Sequence, residues 1–149
     1  MVRLLSPLEA NNLKERLLIK LNLSYSKIAN SLYEIDGMRV NVRVTSRRSS
    51  GRYWFNIQRK NVTSYIWICY DPEIKDWEAY YWIPAKEMWN RISHGSYRDR
   101  TWERAGRPIP NFEIDPRNNQ YIGGEKKKTS ISKFRNLRQP PNRLGAEIQ

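Results

Sequence analysis

Arg39, Asn41 and Arg43 stand at alternate positions in the run MRVNVRVTS, residues 38–46, with Val40, Val42 and Val44 between them. Successive side chains of an extended chain point to opposite faces, so the two guanidinium groups and the amide share one face. Arg47, Arg48 and Arg52 follow in the next loop, and from Met38 to Lys60 there are seven Lys or Arg and no acid. A guanidinium is a planar fork that stays charged at physiological pH and grips phosphate through two N–H groups. The chemistry this strip predicts is phosphate binding. A charged sheet edge that resists aggregation is the alternative use of the same residues.

Other chemistry is thinly supplied. The one histidine, His94, precedes Gly95 with no nucleophile or orienting partner at a telling spacing, so a Ser-His-Asp or Cys-His arrangement cannot be built on it. No HExxH, glycine-rich phosphate loop or His/Cys cluster occurs. Asp71, Glu73, Asp76 and Glu78 fall together in DPEIKDWE and read as a solvated hairpin end, with metal binding as the rival reading. Cys69 is the only cysteine and lies in an apolar run, which excludes an internal disulfide and fits a reducing, cytoplasmic setting.

The totals agree with a polyanionic partner. The chain has 149 residues, a formal net charge of +12 and 12% aromatic residues. That length holds one domain with its own core, and that charge favours nucleic acid, because clustered Lys and Arg release counterions from phosphates. No run approaches the roughly 18 apolar residues of a spanning helix, and the N-terminus lacks the pattern of a secretory signal. Lys126, Lys127 and Lys128, with Lys133, Arg135, Arg138 and Arg143, form a second basic region suited to lying along a phosphate backbone, with a solubilising terminus as the alternative.

These groups need elements to position them. Ser6-Pro7-Leu8-Glu9 has the hydroxyl, proline and carboxylate of a capped helix start, and Leu13, Leu17 and Leu21 then recur every four residues, predicting an amphipathic helix to about Asn22 with Lys14, Glu15 and Lys20 off the stripe. Ser24 to Ser31 reads as a short second helix, similar to the start of a helix-turn-helix, although a strand follows it. Asp36-Gly37 predicts a tight hairpin turn joining LYEI to MRVNVRVT. Strands are expected over Tyr53–Gln58, Ser64–Tyr70 and Ala79–Ile83, and a closing helix over Ala85–Ile92. Trp54, Trp67, Trp82, Tyr65, Tyr80 and Tyr81 fall in these strands as core, with base stacking as the alternative for any exposed pair. The expected class is α+β: N-terminal helix, a central mixed sheet of four to five strands and a flanking helix over residues 1–93, then an irregular basic arm over residues 94–149.

The order of helix, Asp-Gly hairpin, VNVRVTS, WFN, YIWICYDPE and YYWIPAKEM resembles the PD-(D/E)XK nuclease superfamily, especially its small restriction-like and intron-homing types, over residues 13–88. The resemblance implies that Asn41 stands at the motif's acid-or-amide position, Arg43 at its lysine position and Ser31 near its first acid, with Glu34 available to replace a ligand. Metal-assisted cleavage needs anionic oxygens around Mg²⁺ and a group that helps form hydroxide. An amide, a hydroxyl and a fixed cation supply neither. The expectation is a DNA-binding protein with a nuclease-like fold whose cleavage activity is lost or altered, contacting phosphates through Arg39, Asn41, Arg43, Arg47, Arg48, Arg52 and Lys126–Lys128, with no metal or cofactor. An active Mg²⁺-dependent endonuclease of a mobile element or restriction system, and an RNA-binding ribonucleoprotein subunit, are the alternatives. The resemblance also allows a homo-oligomer.

Overall fold

The computed structural model describes residues 5–56, 62–87, 111–122 and 128–141. Helix α1, Pro7–Lys20, begins as its sequence dictates. The Ser6 hydroxyl accepts the Glu9 amide at 3.1 Å and the Glu9 carboxylate accepts the Ser6 amide at 3.2 Å, so two amides without helical partners are satisfied reciprocally. Ser6→Ala is expected to cost about 1 kcal/mol, measured as a shift in urea midpoint with unchanged slope. Leu13, Leu17, Leu18 and Leu21 are buried on one side of the helix.

The chain then forms β1 (Tyr25–Ala29), β2 (Leu32–Ile35) and β3 (Met38–Ser46), an antiparallel meander. Asp36 and Gly37 take φ of 51° and 81°, the left-handed pair that a two-residue hairpin needs, so Ile35 faces Met38. Next, β4 (Tyr53–Asn56) leaves this sheet, β5 (Ser64–Asp71) returns parallel to β3, and β6 (Asp76–Pro84) turns back along β5. The main sheet is therefore mixed, in the order β1-β2-β3-β5-β6. Residues 85–87 are helical. The remainder of the expected closing helix lies outside the described residues.

A second, antiparallel sheet has the order β4-β7-β8-β9, with β7 Asn111–Asp115, β8 Gln120–Ile122 and β9 Lys128–Ser130. A 3₁₀ turn, Ser132–Phe134, follows. Alternation along β5 and β6 gives the main sheet two apolar faces. Tyr33, Val40, Val42, Ile66, Ile68, Tyr80 and Trp82 pack under α1. Tyr65, Trp67, Cys69, Tyr81 and Ile83 pack against Tyr53, Phe55, Ile114, Tyr121, Ile131 and Phe134 of the second layer. Phe55 and Trp67 stack across that interface with ring centres 5.1 Å apart. The layers are thus helix, five strands and four strands. Burial on both faces of β5 and β6 is why both faces of those strands are aromatic.

The α+β class is as expected, and three details differ. Residues 24–31 hold a strand: β1 is an exposed edge, and its side chains, Ile28 among them, face solvent along most of its length. Tyr53–Asn56 belongs to the second sheet. The segment expected to be irregular after residue 94 supplies β7, β8 and β9, because its apolar residues cover the second face of β5 and β6.

Candidate nucleic-acid interface

The Val42 amide donates to the Ser31 carbonyl at 2.8 Å, and β2 pairs with β3 only as far as Leu32 opposite Asn41. Amides along a strand alternate in direction, so those of Val44 and Ser46 point to the same side as that of Val42. There β2 no longer runs. Among the described residues no strand pairs with this part of the β3 edge, which is one wall of a groove of about 1020 Å³. Helix α1 contributes Pro7, Ala10 and Lys14 to the opposite wall, and Arg48, Ser49 and Trp54 close the end. Thr45 and Ser46 line the groove, and their buried hydroxyl oxygens have no partner among the described residues.

Lys14 is the most unusual group in this wall. It is 4% exposed, and its Nζ donates to Ser31 Oγ at 3.1 Å. Among the described residues no carboxylate joins it. Burial, followed by the charges of Arg43 and Lys27, pushes its pKa down to about 8 from 10.5. Arg43 lies behind the groove, half-buried beside Trp67 in the strand register; burial lowers its pKa, and its Nε has no partner among the described residues. The charge of Arg43 is felt at Lys14, and among the described residues no acid is paired with either cation.

The motif positions do not converge on a cation-sized gap. Leu32 lies opposite Asn41 and Ser31 beside Val42, so Ser31 takes the α1 side of the sheet while Asn41, Arg43 and Thr45 take the other. Asn41 is buried, and its amide nitrogen has no partner among the described residues. Glu34 faces Arg39, four residues and about 13 Å along β3 from Arg43. It cannot supply an oxygen at Arg43. The acids of DPEIKDWE are also dispersed: Asp71 and Glu73 hold Arg47 at 3.3 and 2.8 Å, Asp76 holds Arg16 at 2.5 Å, and Glu78 accepts from the Tyr53 hydroxyl. Among the described residues no three of His, Cys, Asp and Glu come together.

The chain matches no protein-family model, no curated protein and no solved structure.

The arginine strip proves to be of two kinds. Arg47 and Arg52 are engaged by the protein's own acids, Arg52 through Glu113 at 2.6 Å. Their expected role as free phosphate forks is corrected accordingly: the parallel register that sets Ser46 beside Tyr70 brings Arg47 alongside Asp71. Arg39 and Arg48 are exposed, and Arg48 lies over the Trp54 ring at 4.7 Å. The loop carrying Arg48 is shaped by hydrogen bonds from the Arg48 amide to the Arg52 carbonyl and from the Gly51 amide to the Arg48 carbonyl. Gly51 has a φ of 84°, and a Cβ there would come within 3.0 Å of the Arg117 guanidinium. That guanidinium donates to the Ser50 carbonyl and so ties the loop to the turn between β7 and β8.

Lys14, which the sequence did not mark as a site residue, and Trp54, which it read as core with base stacking as the alternative, both line the groove. The expectation that Lys14 lies off the apolar stripe is corrected: Leu18 and Leu21, four and seven positions on, share its helix face, and it is buried with them. Trp54 carried no sequence signal of its exposure. His94, Lys126 and Lys127 lie outside the described residues, and Lys128 opens β9. Among the described residues no helix is long and apolar enough to cross a membrane.

Proposed function

We propose that the protein binds the sugar-phosphate backbone of nucleic acid, DNA before RNA, through the groove between α1 and the open edge of β3, and does not cleave it by the metal-dependent route of the nucleases it resembles. One observation carries this reading: a buried lysine in the groove wall meets a hydroxyl and no carboxylate among the described residues, with Arg43 and Lys27 adding positive potential. An ammonium so placed, beside strand amides and hydroxyls that only donate or rotate to suit, favours an anion. The same residues do not suit Mg²⁺, which requires anionic oxygens and would be repelled by both cations. Arg48, which lines the groove, extends the positive surface at its end, and Arg39 is a further exposed cation near the start of β3.

Binding of a labelled duplex should weaken as salt rises. The Arg39→Gln/Arg48→Gln double variant should flatten the log–log slope by roughly one for each phosphate that is no longer neutralised, equally for unrelated sequences. Arg47→Gln should leave that slope unchanged, because Asp71 and Glu73 already neutralise it. Equal slopes for the wild type and the double variant would remove the exposed arginines from the interface. Mg²⁺-dependent nicking of supercoiled plasmid that Arg43→Lys enhances would favour the endonuclease reading.

A further inference from the structure

Trp54 is 36% exposed, whereas Trp67 and Trp82 are fully buried. Its strand neighbours Tyr53 and Phe55 point into the core, so alternation turns the indole outward into the groove that Lys14 also lines. Arg48 covers the ring from a loop rather than from a fixed strand. Glu113, opposite Trp54 in the register, also lines the groove, but Arg52 neutralises it at 2.6 Å and so removes a repulsion that a phosphate would meet. Pro7 and Ala10 give the facing wall apolar surface. The volume of about 1020 Å³ stands at the top of the roughly 300–1,000 Å³ range of pockets that enclose compact organic ligands.

A phosphate site and an aromatic platform in one groove are what a nucleotide outside a duplex requires. A base paired within a helix has both faces stacked on its neighbours and cannot lie on an indole. We infer that the groove takes an unpaired nucleotide of a single-stranded segment, with its phosphate at Lys14 and the β3 edge and its base stacked on Trp54, either beneath the Arg48 guanidinium or in its place. This rests on the phosphate-binding reading above and adds the strandedness of the ligand. Stacking supplies sequence-tolerant affinity, because every base presents a π face.

The test compares three probes: an oligo(dT) strand, the same length of hairpin duplex, and a strand with abasic residues at its centre. Wild-type protein should bind oligo(dT) more tightly than either of the others. Trp54→Ala should weaken oligo(dT) binding roughly tenfold, leave duplex and abasic affinities unchanged, and erase the difference between oligo(dT) and the abasic strand. Trp54→Phe should retain most of the affinity, and subtracting its fluorescence from the wild type's should isolate a Trp54 signal quenched on binding. A matching oligo(U) strand separates RNA from DNA as the source. Equal binding of oligo(dT) and the abasic strand, or equal losses in Trp54→Ala on all three probes, would overturn the base site while leaving phosphate binding intact. Failure of all three probes to bind, or indifference of all three to Lys14→Gln, would instead overturn the phosphate reading itself.

Discussion

A chain ended after Ser93 is expected to lose its cooperative unfolding transition and near-ultraviolet circular dichroism, although far-ultraviolet strand signal persists. The removed part includes Ile114, Tyr121, Ile131 and Phe134, all buried against the second face of the main sheet. Burying each stabilises by about 1.5–3 kcal/mol, so their joint loss approaches the roughly 5–15 kcal/mol that separates folded from unfolded states in ordinary domains. The loss also uncovers Trp67 and Tyr81, which were interior. Further, β6 loses the clip made by the Asn136 amide on the Tyr80 carbonyl at 2.8 Å and by the Tyr80 hydroxyl on the Leu137 carbonyl at 2.9 Å. A cooperative transition in the shortened chain would mean that the second sheet is an appended layer. The Ile131→Ala/Phe134→Ala variant of the full chain offers a milder readout and should lower the urea midpoint while keeping the fold.

The same packing explains what could be read from the sequence. Ser6 to Glu9 and Asp36-Gly37 were legible because a capping box and a left-handed turn are local: the backbone conformation follows from a few adjacent side chains. The aromatic runs of β5 and β6 were legible as strands, and burial on both faces is written in their lack of alternation. β7, β8 and β9 were not, since none exceeds five residues and three to five residues cannot establish a period. Their one local signal is the DPRNN turn. Asp115 accepts the Arg117 amide at 3.1 Å and the Asn118 side-chain amide at 2.9 Å there, and Asn119 takes a φ of 51°. At the site, the basic strip was legible as composition, but its division into free and neutralised arginines was not. Arg52 meets Glu113 from 61 positions away, a pairing fixed by β4–β7 register and by nothing nearby in the sequence.

Lys14→Met is expected to make the protein more stable and less able to bind. With folded-state pKa about 8 against 10.5, the unfolded chain holds the Lys14 proton more firmly than the folded one. Below about pH 8 both states are protonated, and the folded state bears the full cost of the buried charge. As pH rises from about 8 toward 10.5 that cost is relieved, so wild-type stability should climb by about 2–3 kcal/mol. Tyr33 and Tyr80 act in the opposite sense at higher pH. Burial raises both to about 12, so they stay neutral in the folded state while ionising near 10 in the unfolded one, and stability should fall above about pH 10. Methionine fills a similar volume without charge, and replacing buried ions with apolar groups is often stabilising. The variant should therefore gain about 2–3 kcal/mol at pH 7, lose that gain by pH 10, and keep the tyrosine-driven decline. Its affinity for oligonucleotides should fall roughly 10- to 100-fold, as expected when one charge-assisted hydrogen bond worth about 1.5–3 kcal/mol is removed. Urea unfolding between pH 7 and 10 and anisotropy titration at one salt concentration measure both sides. Parallel stability curves for wild type and variant would remove the buried charge, whereas unchanged affinity alongside the expected stability gain would remove Lys14 from the ligand. A gain in stability joined to a loss of binding is the signature of a side chain kept at the expense of the fold for the sake of an anion.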